Sequence, residues 1–391
     1  MNNTHPTEET VYLDKAEPSP AAQHGFFERL YTGTGGFRIV SRRKFFYAMS
    51  AALLLISLLS IAVRGFTLGI DFEGGTRIQV PAAGNVTTQQ VEDVYAQTLG
   101  HGPVTVQEVG SGSAATIQVR SETLDKDQTD QVQEALRAML EKETGTSVSI
   151  DAISMAEISE TWGGQITQKA LIALAVFVAL TMIYIAIRFE RDMSIAAIVS
   201  LFFNLIVTAG IYSLVGFEVT PAAVIGLLTI LGYVLYDNVV VFDKVEENTR
   251  GVLHLNKRTY AEQANLAANQ TLMRSISTTV IGILPIIGML VIAVWLLGVG
   301  TLKDLALVQL VGMIVGAYSS IFLAVPVLVS IKERWGPVAA HTKKVLAKRA
   351  GGGVSPRVPV AAGATRGPRP TDASAPRPGT RPSGKRHKRR N

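Results

Sequence analysis

No cysteine occurs anywhere in the chain, which excludes disulfides, thiolate metal sites and cysteine nucleophiles. Charge is scarce as well. Asp, Glu, Lys and Arg make up 17% of the 391 residues while 48% are hydrophobic, a balance too apolar for an ordinary soluble protein of this size. The histidines His5, His24, His101, His254, His341 and His387 are scattered without ligand spacing, so no metal site is expected. No G-x-x-x-x-G-K-[ST] phosphate loop is present. Energy from nucleotide hydrolysis, and enzyme activity in general, are therefore not expected.

What the chain does have is six long apolar runs, at residues 45–63, 170–187, 193–215, 219–242, 276–299 and 305–331. A hydrocarbon core of roughly 30 Å needs about 20 residues per helical crossing. A polytopic α-helical membrane protein with six transmembrane helices is therefore expected, the fifth having a cytoplasmic lead-in from residue 268. The first run is too long and too internal for a cleaved signal peptide and should stay as an anchor.

Placing both termini in the cytoplasm puts 29 of the 37 Lys and Arg residues on that side, as the positive-inside bias requires. Residues 1–44 then form a cytoplasmic segment of a protein in the cytoplasmic membrane, 243–267 a cytoplasmic loop, and 332–391 a basic, disordered cytoplasmic tail. From about residue 351 the tail is rich in Pro, Gly, Ala and Arg, and it ends in Lys385-Arg386-His387-Lys388-Arg389-Arg390, a composition that cannot bury a core. Contact with anionic lipid is the expected use of its charge, and no nucleic acid partner is expected.

Residues 64–169, between the first two runs, have soluble composition and read as an extracytoplasmic α+β domain with its connector. Residues 76–80, 104–109, 115–119 and 147–153 alternate as strands, whereas 88–99 and 126–142 show helical spacing. Val132, Leu136, Met139 and Leu140 form one apolar stripe. The order βαββαβ predicts a ferredoxin-like sheet with two helices on one face and the other face available.

One carboxylate stands deep in an apolar run. Asp237, flanked by Tyr236 and Asn238 in the fourth run, costs a few kcal/mol to place at membrane depth, so it should face the bundle interior and mark an ion or proton pathway. Arg274, in the weakly polar lead-in to the fifth run, reaches the same depth on an antiparallel neighbour if that helix enters the membrane near residue 268, and is the expected partner, the two forming a proton-coupled switch. The alternatives are a static packing role for Asp237 and snorkelling for Arg274. Asn204, Thr208, Ser277, Thr278, Thr279 and Gln309 can supply further polar groups, or simply pack between helices. Gly312 and Gly316 form a small-xxx-small packing pair on the last run.

Three ordered segments carry a resemblance. Gly69-Ile70-Asp71-Phe72-Glu73-Gly74-Gly75-Thr76 resembles the D-F-x-G-G signature of the SecD/SecF family, part of the resistance-nodulation-division superfamily. Residues 231–250 and 269–276 resemble the fourth- and fifth-helix motifs of its SecF members, although many of those have Asn-Asp-Thr where this chain has Tyr236-Asp237-Asn238. The resemblance marks Asp71, Gly74 and Gly75 as motif residues and implies that Asp237 and Arg274 take part in proton flow. It further implies a SecD partner, work beside the SecYEG channel on secreted preproteins, use of the proton-motive force to assist their export, and no cofactor besides the coupling ion, with sodium as the alternative to protons. The tail composition suggests a high-GC Gram-positive source. A small-molecule or lipid exporter half of the same superfamily and a non-motor structural subunit remain as other readings.

Overall fold

The computed structural model describes residues 37–351 apart from 85, 255–257 and 335. The expected N-terminal segment up to 36 and the tail beyond 351 lie outside the described residues. The chain divides into two compact units, Met1–Leu346 and Ala347–Asn391. The membrane-type helices and the α+β domain both belong to the first.

Six helices among the described residues are long and apolar enough to cross a membrane. The first, α1, spans Arg43–Arg64 and stops at Gly65, whose φ of 66° no side chain readily adopts. It leads into β1 (Thr67–Leu68) and the single turn α2 (Ile70–Glu73). The sheet and its helices follow as β2 (Gly75–Pro81), α3 (Thr88–Leu99), β3 (Thr105–Val109), β4 (Thr116–Ser121), α4 (Lys126–Thr144) and β5 (Ser154–Ile158). The strand order is β3-β4-β2-β5, with every pairing antiparallel. This is the βαββαβ arrangement read from the sequence. Both helices open with reciprocal capping boxes, Thr87 with Gln90 and Asp125 with Gln128, which satisfy two otherwise unpaired backbone donors each.

One face of the sheet forms the domain core: Ile78, Val80, Ile117 and Val119 pack against Val91, Tyr95, Val132, Leu136 and Leu140 of the two helices. The opposite face is polar. Arg77 stands beside Arg120 and Gln79 beside Gln118, which in turn pairs with Gln107. That face, expected to be available, instead meets the first turn of the helix Gly300–Tyr318 and the short helix α2: Lys303 Nζ donates to Gln107 Oε1 at 2.9 Å and Arg120 to Glu73 at 2.6 Å. The last strand also departs from expectation. Residues 150–152 form a 3-10 turn capped by Ser149, and the strand begins only at Ser154.

The remaining helices are α5 (Glu160–Arg188), α6 (Arg191–Val215), α7 (Pro221–Thr249), α8 (Tyr260–Gly288), α9 (Gly300–Tyr318), α10 (Val325–Arg334) and α11 (Pro337–Gly351). A two-residue strand, β6 (Glu218–Val219), precedes α7 and pairs in parallel with β1. Three boundaries correct the sequence reading. Helix α5 begins ten residues before its apolar run, because Ser159 caps it by accepting from Trp162 N. The loop expected at 243–267 is largely helical, since α7 runs on to Thr249 and a Thr259/Glu262 capping box starts α8 at Tyr260. The tail expected to be disordered from 332 carries the end of α10 and all of α11.

Two helices widen into π-helix. Met289–Leu296 continues α8, and Ser319–Ala324 joins α9 to α10. Pro326 follows the second of these, and its ring would collide with the carbonyl of Phe322, four residues back, in a regular α-helix.

Candidate functional site

Helix α7 places Asp237 sixteen residues beyond Pro221, about 24 Å along the helix axis. Its carboxylate is buried, with 4% of the residue exposed. The parallel helix α9 is drawn against it by the small residues noted in the sequence. A Cβ on Gly312 would come within 2.6 Å of Ile230, and one on Gly316 within 2.4 Å of Val234. One turn further along both helices, the same seam brings Ser320 to Asp237.

Ser320 Oγ, on the π-helical segment, donates to Asp237 Oδ2. Ser275 Oγ, on α8, donates to the same oxygen at 2.6 Å. Hydroxyls from two separate helices thus converge on one carboxylate oxygen. Ser320 also has a second acceptor in reach, the Ala317 carbonyl at 3.2 Å.

Arg274 does not pair with Asp237. It is exposed, and its guanidinium donates to Tyr236 Oη at 3.2 Å. It lies level with Asp237 along the bundle, next to Ser275, but is rotated away from the carboxylate. Each residue turns an α-helix by about 100°, so with Ser275 aimed inward at Asp237 its neighbour faces out.

The other expected polar residues divide. Asn238 exchanges hydrogen bonds with Ser200 at 3.4 Å, and Asn204 Nδ2 donates to the Gly312 carbonyl at 3.0 Å, so both lie in the buried layer. Asn204 Oδ1 and Thr208 Oγ1 are buried without a hydrogen-bond partner among the described residues. Thr279 bonds back to Ser275 O and receives Tyr233 Oη at 3.3 Å, extending the polar atoms toward the α+β domain. Ser277 is exposed and Thr278 bonds only to carbonyls of its own helix, so neither reaches Asp237. The sequence reading missed Ser275, Ser320 and Ser200. Their signal is faint, because a serine in a membrane helix usually satisfies itself on its own backbone.

Asn269 has a different task. Its side chain and that of Asn265 clasp the backbone ahead of α1, with Asn269 Oδ1 accepting from Phe37 N at 3.0 Å and Asn265 Oδ1 from Val40 N at 3.0 Å.

The glycine motif forms the joint between domain and bundle. Gly74 has φ 85°, and a Cβ there would lie 2.8 Å from Glu160 N; Gly75 has φ 124°, and its Cβ would lie 2.5 Å from Ser121 O. Only glycine fits both positions. Asp71 accepts from Arg77 at 3.4 Å. Arg120 bridges Glu73 at 2.6 Å and Glu218 at 3.9 Å. Burial pushes the Glu218 carboxyl above its ordinary value, a shift reinforced by Asp71 and opposed by Arg120, Arg77 and Lys303.

Comparison with known proteins gives concordant matches. Residues 138–334 match the family described as protein export membrane protein SecD/SecF, C-terminal, and residues 59–86 match the SecD/SecF GG motif. The chain is 57% identical over 335 residues to the protein translocase subunit SecF of Mycobacterium tuberculosis, covering 85% of this chain and 76% of that protein. It is 41% identical over 373 residues to the Streptomyces coelicolor protein of the same name, covering 92% and 97%. Both relatives come from high-GC Gram-positive bacteria, as the tail composition suggested. A crystal structure of SecDF from Thermus thermophilus, a translocon-associated membrane protein, is 28% identical with a TM-score of 0.63; the match covers 76% of this chain and 39% of that one.

Proposed function

The chain belongs to the SecD/SecF protein-export family, on its SecF side, and from that premise we propose that it couples proton movement at Asp237 to the export of preproteins. It does so with a SecD partner beside a SecYEG channel. Both termini lie in the cytoplasm and the α+β domain on the opposite side, where it handles the emerging chain. Naturally fused SecDF proteins of Bacillus subtilis and Thermus thermophilus, each 31% identical to this chain, support the SecD partner.

One observation carries the reading: a buried carboxylate receives hydroxyls from two different helices on a single oxygen. An ionised carboxylate only accepts hydrogen bonds, so it holds both serines. Once protonated it becomes a donor as well, and Ser320 can turn to the Ala317 carbonyl. Proton occupancy therefore loosens or tightens the ties among α7, α8 and the π-helical segment. Each proton crossing the membrane field is worth about 2.3 kcal/mol per 100 mV, enough for a few of them to drive a conformational cycle.

Arg274 and the half-exposed Tyr236 face outward at membrane depth. A guanidinium in that position needs a polar neighbour, which favours this face as the seat of the SecD partner. The role of Arg274 is then exerted across that interface, and an acidic or carbonyl group of SecD completes the pathway.

The test is an export assay of the Asp237→Asn variant, with and without a collapsed proton gradient and with sodium varied at a fixed gradient. Export assisted by the gradient should vanish in the variant while gradient-independent export persists, and sodium should have no effect. Undiminished gradient assistance would leave Asp237 as a packing residue and the protein as a scaffold.

A further inference from the structure

Helix α5 packs loosely against α6 and α7 at the end of the bundle near the α+β domain. A cavity of about 320 Å3 lies there, lined by Leu171, Leu174, Leu205, Ala209, Val224 and Leu227 and roofed by Phe66 and Phe72. Its lining is apolar apart from hydroxyls such as that of Thr167. Leu171 is 62% exposed and Phe66 42%, so the cavity opens on the outer surface of the bundle, where the surrounding medium is acyl chain.

A second recess lies across the same helix contact, sharing Ala170 and Val224 with the first and lined also by Trp162, Gln165, Lys169 and Ile225. Lys169 immediately precedes the apolar run of α5, and none of the ion pairs among the described residues uses it. Trp162, 58% exposed, stands two turns before it. An amphipathic ring with a cation at the edge of a membrane helix is an interfacial pairing that suits a phosphate headgroup. The apolar cavity and the cation lie on one helix within a turn of each other, the spacing of a lipid's headgroup and upper acyl chain.

We propose that the α5–α7 contact binds one anionic diacyl phospholipid of the leaflet nearer the α+β domain, with an acyl chain in the cavity and its phosphate against Lys169. The occupant is a bilayer lipid because the cavity lies along an apolar span of α5 and the recess adjoining it carries the unpaired charge of Lys169. The bound lipid fills the seam between α5 and the rest of the bundle, directly beneath the Gly74-Gly75 joint that meets Glu160 of the same helix.

The test uses the full-length protein, purified with any partner subunit it carries, delipidated and titrated with phosphatidylglycerol or phosphatidylcholine under native mass spectrometry. One phosphatidylglycerol should be retained more tightly than the rest. Lys169→Glu, at an exposed position that leaves the fold intact, should weaken it about fivefold or more, the scale of one surface cation against anionic lipid. Ala209→Phe and Leu227→Trp, which fill the cavity, should abolish retention of either lipid, and Ile183→Ala on the distant exposed part of α5 should change nothing. Equal retention by wild type and Lys169→Glu, equal affinity for phosphatidylcholine, or retention that survives a folded cavity-filling variant would overturn the proposal. So would a copurifying polypeptide that only the filling variants release.

Discussion

The α+β domain and the helical bundle differ in how many small and polar groups their interiors hold. The domain core is made of aliphatic residues and one tyrosine, Tyr95, driven together by removal of apolar surface from water. The bundle seals its interior with small and polar groups: Ser200, Asn204, Thr208, Asp237, Asn238, Ser275, Ser319 and Ser320 are all buried there. It also buries large apolar residues, among them Ile185, Leu201, Ile230, Phe242 and Leu328, while others such as Leu55, Leu180 and Ile281 are exposed on its outside. Lipid removes the drive to bury leucine, so close backbone approach and polar contacts set the packing. A polar group that would be a liability in the domain is structural in the bundle, and one of them can also carry charge.

Truncating the domain core should give the largest loss of stability. Leu136→Ala is expected to cost about 2–5 kcal/mol, read as lost hydrogen-exchange protection in β2 and β4 of the full-length protein, with the bundle unaffected. A bundle that loosens in step would merge the two regions into one cooperative unit and break the comparison.

A smaller effect is expected from Ser320→Ala and Ser275→Ala. Hydrogen bonds between membrane helices average about 0.6 kcal/mol, so each variant should stay folded while its gradient-assisted export falls. Loss of folding rather than of export would make these hydroxyls scaffolding.

The most modest effect concerns the joint, where the two regimes meet. The Glu218 carboxyl has its folded-state value raised above the ordinary 4.5 by burial. Its contribution to stability is therefore full below about pH 4.5 and is lost as pH rises through the raised value. Glu218→Gln should flatten that part of the stability profile, measured by thermal unfolding between acidic and neutral pH. An unchanged slope would assign the pH response to other groups.

Both regions were legible in the sequence to different depths. Helices α3 and α4 announced themselves through their apolar spacing, and α3 spans the expected residues 88–99. The last strand did not, because β5 is an edge strand with most of its side chains exposed and little alternation to read, while Ser149 diverts the better-patterned residues before it into a turn. In the bundle, Asp237 stood out as a lone acid in an apolar run. Its partners did not, since depth follows from counting residues but rotation does not. That is how Arg274 was expected where Ser275 points, and a π-helical turn that swings Ser320 inward leaves no periodic signature.

Infrared difference spectroscopy tests the central claim most directly, comparing the protein with its SecD partner in vesicles before and after a proton gradient is imposed. The account predicts a change in the carbonyl stretch of a protonated carboxyl group in wild type that is missing in Asp237→Asn. A spectrum identical in both proteins would contradict it, because Asp237 would then hold the same protonation state throughout.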